Sequence, residues 1–325
     1  MGKRAVLLLA HGTPETVEQI PEYLRNVVSG RPMPQHVVEE IQHRYGLIGR
    51  SPLTELTMEH ARLVEAELAA KGAAVKVYVG MRNWRPYIPD VVKQMRADGV
   101  EEAAVICLAP QNSRTSVGLY KRAVEAEAGT LKFDFTEGWA RNGLLADAFA
   151  ERLRAKLGEV KAETGDIPPV LFTAHSVPTR TVEPPAAGET GAPRHWPAGQ
   201  GPDPYAEDAR TTAALVAERV PEIPKWWFAF QSQGASGGPW IGPTVEETLE
   251  KIATEGVKTV VLQPIGFLCD HVEILYDVDI AFKEHAKRLG LRLERPESLN
   301  ASPMLAHAVA ELAEEGLKRM ASSTA

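Results

Sequence analysis

Residues 6–14 read VLLLAHGTP and residues 170–178 read VLFTAHSVP, a near-repetition that narrows sharply what the chain can fold into. Each copy is an apolar, strand-forming run that ends in Ala-His, with a proline three residues beyond the histidine. His11 and His175 stand about half a chain apart in 325 residues, a length that suits two compact domains. Near-continuous apolar strands belong to parallel sheets covered on both faces. Such open sheets hold ligands beyond the carboxyl ends of their strands. The repeat therefore predicts two similar lobes, each presenting an imidazole at the carboxyl edge of its first strand. A single histidine there is more often structural than a ligand; the duplicate raises the functional reading. Two imidazoles facing one cleft suit proton transfer or metal binding.

The same rhythm runs along the whole chain. Apolar β-rich runs recur at 5–10, 74–79, 103–109 and 131–136, then at 169–174, 226–231, 258–263 and 291–295. Segments of helical period fall between them, at 54–70, 87–98, 115–128, 142–162, 205–219, 244–255, 272–289 and 303–320. Four strands and then four strands, each set opening on the Ala-His motif, predict an α/β fold of two Rossmann-like lobes. Each lobe is a four-stranded parallel sheet flanked by helices, over 1–155 and 156–325, with a cleft between them. Residues 179–204 break the rhythm, with six prolines, four glycines and no period. This loop leaves directly from the His175 motif, which suits either a lid over the cleft or a plain surface insertion.

Several functions find no support. A net charge of −7 gives no basic patch for nucleic acid. Two cysteines, Cys107 and Cys269, neither in a CxxC, cannot make a disulfide framework, a zinc finger or a four-cysteine iron–sulfur cluster. The start MGKRAVLLLAHG reads as a first core strand, since a signal peptide needs a longer apolar region. No stretch reaches the roughly 18 apolar residues of a membrane span. A cytoplasmic monomer is expected, with peripheral contact to a membrane through an apolar lip left open. GASGG at 234–238 nominally matches a nucleophile elbow, but Ser236 is followed by Gly-Gly-Pro, which cannot start the required helix. The turn after the first strand, HGTPET, lacks the dinucleotide glycine pattern.

The run PIGFLCDHVEILYDVDI, residues 264–280, is a second signal. A strand ends near Phe267 and a helix is expected from about Asp270, with Asp270 as its N-cap. Glu273 and Asp277 then share one helical face at i, i+4. Two carboxylates one turn apart repel, which raises at least one proton affinity and suits a proton relay or a path for metal. A solvated acidic face near a helix start explains the same spacing, and pattern alone favours it.

Taken together, FTAHSVP at 172–178, GPDPY at 201–205, FQSQGASGGPWIGP at 230–243 and PIGFLCDHVEILYDVDI at 264–280 resemble the ferrochelatases, which insert ferrous iron into a porphyrin. RYGLIGRSPL at 44–53, YVGMRNWRP at 78–86 and LAPQNSRTSVGLYKR at 108–122 support the likeness, which runs from Val6 to about Leu317. The resemblance implies a porphyrin cleft between the lobes, with His175 as the metal-site histidine and Glu273 as its partner. It also implies porphyrin contacts at Arg31, Arg44, Tyr45, Ser51 and Tyr120, where guanidinium groups would pair with propionates. The substrates implied are a porphyrin and Fe(2+), with no further cofactor and no iron–sulfur cluster.

The departures matter as much. His11 stands where relatives often carry Tyr, Phe or Met, which suggests an axial or proton-handling role opposite His175. A similar Leu-Leu-His-Gly-Ser turn in the smaller cobalt and sirohydrochlorin chelatases keeps them as an alternative, beside a porphyrin carrier without chemistry. A third acid often follows Asp277 by one turn; Ala281 occupies that place and shortens any carboxylate relay. In the expected mechanism His175 accepts pyrrole protons, and Glu273 steers metal or passes protons to Asp277. The choice between protoporphyrin IX and coproporphyrin III is not legible.

Overall fold

The computed structural model describes residues 3–182, 201–234 and 238–322. In the first lobe β1 (Lys3–Ala10) is followed by α1 (Ile20–Val27), α2 (Gln35–Ile48) and α3 (Leu53–Ala70). Then come β2 (Lys76–Met81), α4 (Ile88–Ala97), β3 (Val100–Cys107), α5 (Val117–Ala128) and β4 (Lys132–Thr136). The long helix α6 (Gly143–Thr164) leads into the second lobe. There β5 (Val170–His175), α7 (Tyr205–Arg219), β6 (Trp226–Gln231), α8 (Val245–Thr254) and β7 (Thr259–Pro264) alternate. The chain ends with α9 (Val272–Leu275), α10 (Lys283–Arg288), β8 (Arg292–Glu294) and α11 (Pro303–Ser322).

The two sheets have one topology. Their strand orders are β2-β1-β3-β4 and β6-β5-β7-β8, and every pairing is parallel. The duplicated Ala-His motif thus ends the equivalent inner strand of each sheet. Residues Ala5–Leu9 of β1 and Val170–Phe172 of β5 are wholly buried, because helices cover both faces. One apolar core runs through both lobes, from Val6 and Leu8 to Val170 and Phe172.

Three features differ from the sequence reading. Helices α1 and α2 fill a stretch in which no helix was expected. Only Tyr45 of α2 is buried, so its sequence carries no apolar period to detect. The expected helix over 272–289 is broken: α9 gives way to a π turn, Asp277–Phe282, before α10 begins. Its bond from Ala281 N–H to Tyr276 C=O spans five residues at 3.0 Å. Finally, α11 packs on β3, β4 and α3, so a division at 155 gives the second lobe a helix that covers the first sheet. Gly316 permits this contact, since a Cβ there would lie 3.0 Å from the Ala104 Cβ of β3.

Residues 183–200, the middle of the loop read as a lid, lie outside the described residues, as does Ser236. The loop's described ends meet, with Asp203 N–H donating to Val182 C=O at 2.9 Å.

Candidate functional site

A cavity of ≈ 350 Å³ opens where the carboxyl ends of the two inner strands face each other. His11 and Thr13 enter from the loop after β1, and Gln111, Ser113, Thr115 and Ser116 from the loop after β3. His175 comes from the end of β5, and Gly266, Phe267, His271 and Glu273 from the segment after β7. These are the points where the strand order reverses in each sheet, the usual ligand position in open α/β folds. Gln111 ties the lobes together, its amide donating to Thr212 Oγ1 and to Ile265 C=O at 3.2 Å each.

Two glycines allow the loops to close. Gly12, with φ +78°, turns the chain directly after His11, and a Cβ there would lie 2.8 Å from Met81 Cβ. Gly266 lies flat on β5, where a Cβ would sit 2.9 Å from both Cα and Cβ of Ala174. Only the absence of a side chain lets the segment carrying Glu273 approach the backbone of His175 so closely.

At the centre of the site Glu273 lies between two imidazoles. Its Oε1 is 3.3 Å from His175 Nε2, and its Oε2 is 3.5 Å from His271 Nε2. The side chains of His175 and Glu273 are 31% and 32% exposed, so both stay open to the cavity. Burial by itself would depress the His175 pKa, but the Glu273 charge and hydrogen bond outweigh it and raise the pKa above the usual 6.5. Burial likewise opposes the Glu273 carboxylate, and the two imidazoles overcome this and hold its pKa well below the ordinary range. The His175 Nδ1–H donates to the Ser176 carbonyl, which leaves Nε2 as the basic nitrogen. Buried neighbours fix the spacing: Thr173 Oγ1 donates to Gln231 Oε1 at 2.6 Å, and Gln231 Nε2 donates to Glu273 C=O at 3.1 Å. The Tyr205 hydroxyl donates to His175 C=O at 2.8 Å.

Asp277 follows across the break after α9. Burial first, then the charge of Glu273, pushes its pKa up to about 6, against the pull of Ser232 and Arg44. The Ser232 hydroxyl donates to it, and Arg44 Nη1 stands 3.4 Å away. Asp270 is not the N-cap expected. His271 holds the cap position, and the Asp270 carboxylate instead accepts from Ser298 (2.7 Å) and Asn300 (3.1 Å), with Arg295 3.3 Å away.

His11 reaches the cavity from the first lobe. Its Nε2 is 2.8 Å from the Tyr23 hydroxyl, and Asn83 Nδ2 is 3.2 Å from its Nδ1. Burial, only partly offset by the Glu273 charge, lowers its pKa to about 4, so the ring is neutral. Tyr120 also lines the cavity, buried, with the Arg82 guanidinium 5.7 Å from its ring centroid. Arg44 is half-buried over the Tyr276 ring at 4.9 Å. Tyr45 is buried in a small cluster with Tyr23 and Trp84. Ser51 is buried just ahead of α3, and its hydroxyl has no partner among the described residues. Arg31 stands apart: it is exposed, and its Nε donates to Val28 C=O at 2.9 Å. Sequence reasoning missed His271, Tyr23, Asn83, Arg82 and Gln231 as site residues. His271, Gln231, Arg82 and Asn83 fall inside motifs already singled out, whereas Tyr23 reaches the site only through folding.

A family model described as ferrochelatase matches residues 3–317. A protein named ferrochelatase from Acidobacterium capsulatum is 59% identical, covering 99% of this chain and 97% of the relative. A coproporphyrin III ferrochelatase from a Geobacillus species is 31% identical, covering 97% of this chain and 98% of the relative. Among solved structures, the cobalt complex of the sirohydrochlorin chelatase SirB from Bacillus subtilis has a TM-score of 0.55. It shares 13% identity, covering 97% of this chain and 96% of that one, and so speaks for the fold alone. With the family model spanning nearly every element that builds the cavity, this chain belongs to the ferrochelatase family, enzymes that insert iron into a porphyrin in haem synthesis.

Proposed function

We propose that His175 Nε2 accepts the pyrrole protons and that His175 and Glu273 receive the incoming iron. The supporting observation is Glu273 set between His175 and His271 at the cavity wall. Metallation breaks two pyrrole N–H bonds and releases two protons as the metal sheds its waters. A neutral imidazole backed by a carboxylate suits both the proton and transient ferrous binding. Glu273 holds the imidazolium once it forms, and Asp277, with its raised pKa, is the next acceptor outward. Ala281 ends that path.

His11 is assigned the opposite face of the macrocycle, as a neutral axial or proton-handling imidazole. Arg31, Arg44, Tyr45, Ser51 and Tyr120 are assigned as porphyrin contacts, Arg44 beside Asp277 at 3.4 Å. A cytoplasmic monomer without an iron–sulfur cluster completes the reading. Two cysteines cannot supply four thiolates, and no described helix is long and apolar enough to cross a membrane.

The test is anaerobic incubation with ferrous iron and each of protoporphyrin IX and coproporphyrin III, following loss of the free-base visible bands. Wild type is expected to metallate at least one, and His175→Ala to lose about 10²–10⁴ in rate with folding intact. Near-normal turnover in His175→Ala would overturn the assignment of the base. Porphyrin binding without metallation would favour a carrier, or cobalt with sirohydrochlorin.

A further inference from the structure

The segment that carries His271, Glu273 and Asp277 has little regular structure of its own. Helix α9 is four residues long, and the π turn Asp277–Phe282 follows after a single residue. Both flanks of the segment are held by one side chain from outside it. Strand β8 pairs in parallel with β7, Glu294 beside Val261, and Arg295 follows directly. The Arg295 side chain is 12% exposed. Its Nε and Nη2 donate to the two oxygens of Asp279 at 2.9 and 2.7 Å, while its Nη1 lies 3.3 Å from Asp270 Oδ1. Nη1 also donates to Pro296 C=O at 3.1 Å and to Ser298 Oγ at 3.2 Å. Asn300 fastens the same flank, accepting from Asp270 N–H at 2.9 Å and donating to Asp270 Oδ2 at 3.1 Å. Lys283 Nζ is the other cation near Asp279, at 3.5 Å.

We propose that Arg295 is a positioning residue for iron insertion, clamping the segment between Asp270 and Asp279 so that Glu273 meets His175. The inference rests on the reading of His175 and Glu273 given above. Asp270 stands three residues before Glu273, and Asp279 two residues after Asp277, so one guanidinium spans both ends of the working segment. Arg295 does not itself line the cavity, and it acts through the backbone it holds. A planar fork of five donors can grip one carboxylate at both oxygens and still reach a second. The single nitrogen of a lysine cannot do both. Asp279 lies inside the π turn, a rare local geometry, so the Arg295 fork also fixes where that turn begins and where Asp277 sits. The contact between Glu273 and His175 joins two separate segments, and a shift of about 1 Å in one of them costs on the order of 10²-fold in rate.

The test is steady-state iron insertion by Arg295→Met and Arg295→Lys, well below their melting temperatures, beside wild type and His175→Ala. Arg295→Met is expected to lower kcat about ten- to hundredfold while KM for porphyrin stays within about threefold of wild type. Arg295→Lys keeps the charge without the fork, and should regain melting temperature more than kcat. Normal kcat in Arg295→Met with a lowered melting temperature would make Arg295 a purely structural residue and overturn the proposal. So would full recovery of kcat in Arg295→Lys, or a porphyrin KM that rises in step with the loss of kcat. Should Arg295→Met not fold, Asp279→Asn, which loosens one end of the segment, is read the same way: a fall in kcat of about three- to tenfold supports the clamp, and an unchanged kcat overturns it. Loss of turnover in His175→Ala alone would overturn only the Arg295 role; wild-type turnover in His175→Ala as well would overturn the reading of the site with it.

Discussion

Glu273 owes its charge to two neighbours and repays one of them with basicity. Removing the carboxylate takes away the interaction that raises the His175 pKa and leaves burial, which lowers it. As the proposed base, His175 must be neutral to accept a proton, so activity should fall as pH drops through its pKa. Glu273→Gln should therefore move the acid limb of the kcat/KM profile to lower pH, besides lowering its height. The pH-rate profile, with NMR titration of the His175 ring, checks this; an unmoved limb would separate the two residues. His175 and Glu273 were both named from motifs in the sequence, but their 3.3 Å contact was not legible. It joins residues about a hundred positions apart, and distance in the chain says nothing about distance in the fold. The same holds for the contacts of Asn83 and Tyr23 with His11: Asn83 stands in a quoted motif, but nothing local pairs either residue with His11.

At the scale of elements, the site depends on how closely segments can pass. Gly266 brings the stretch after β7 onto the end of β5. In Gly266→Ala the new methyl would meet the Ala174 backbone at 2.9 Å, and one of the two segments must move. The expected result is a destabilisation of about 1–3 kcal/mol, typical of overpacking. Iron insertion should fall by more than thermal denaturation alone explains, because His175 adjoins Ala174. A variant with full activity and an unchanged melting temperature would show that the contact relaxes freely. The π turn after α9 acts at the same scale. It ends the regular helix read from the sequence, and Asp277 at its start meets Ser232 and Arg44. Sequence periodicity tests a regular helix and is blind to one inserted residue.

For the whole molecule, α11 is one of the elements that hold the two lobes together. It follows the last strand of the second lobe and packs across β3 and β4 of the first, with Arg319 Nη2 2.7 Å from Asp134 Oδ1. Gly316→Val should push α11 away from Ala104 and lower the melting temperature by several degrees, with KM for porphyrin little changed. Thermal denaturation beside steady-state kinetics tests this; a raised KM at unchanged stability would place α11 in control of the cleft instead.

The sequence by itself determined the alternation of eight strands with helices, the duplication of lobes and the two histidines at equivalent strand ends. Those properties live in local apolar pattern, and burial on both faces of a parallel sheet enforces that pattern residue by residue. It also carried enough motif to mark His175, Glu273 and the acids after them. Tertiary structure alone decided the rest. Helix α2 buries too little to show a period, and α11 crosses to a sheet remote in sequence. Each depends on packing between segments far apart in the chain, which composition and spacing do not encode.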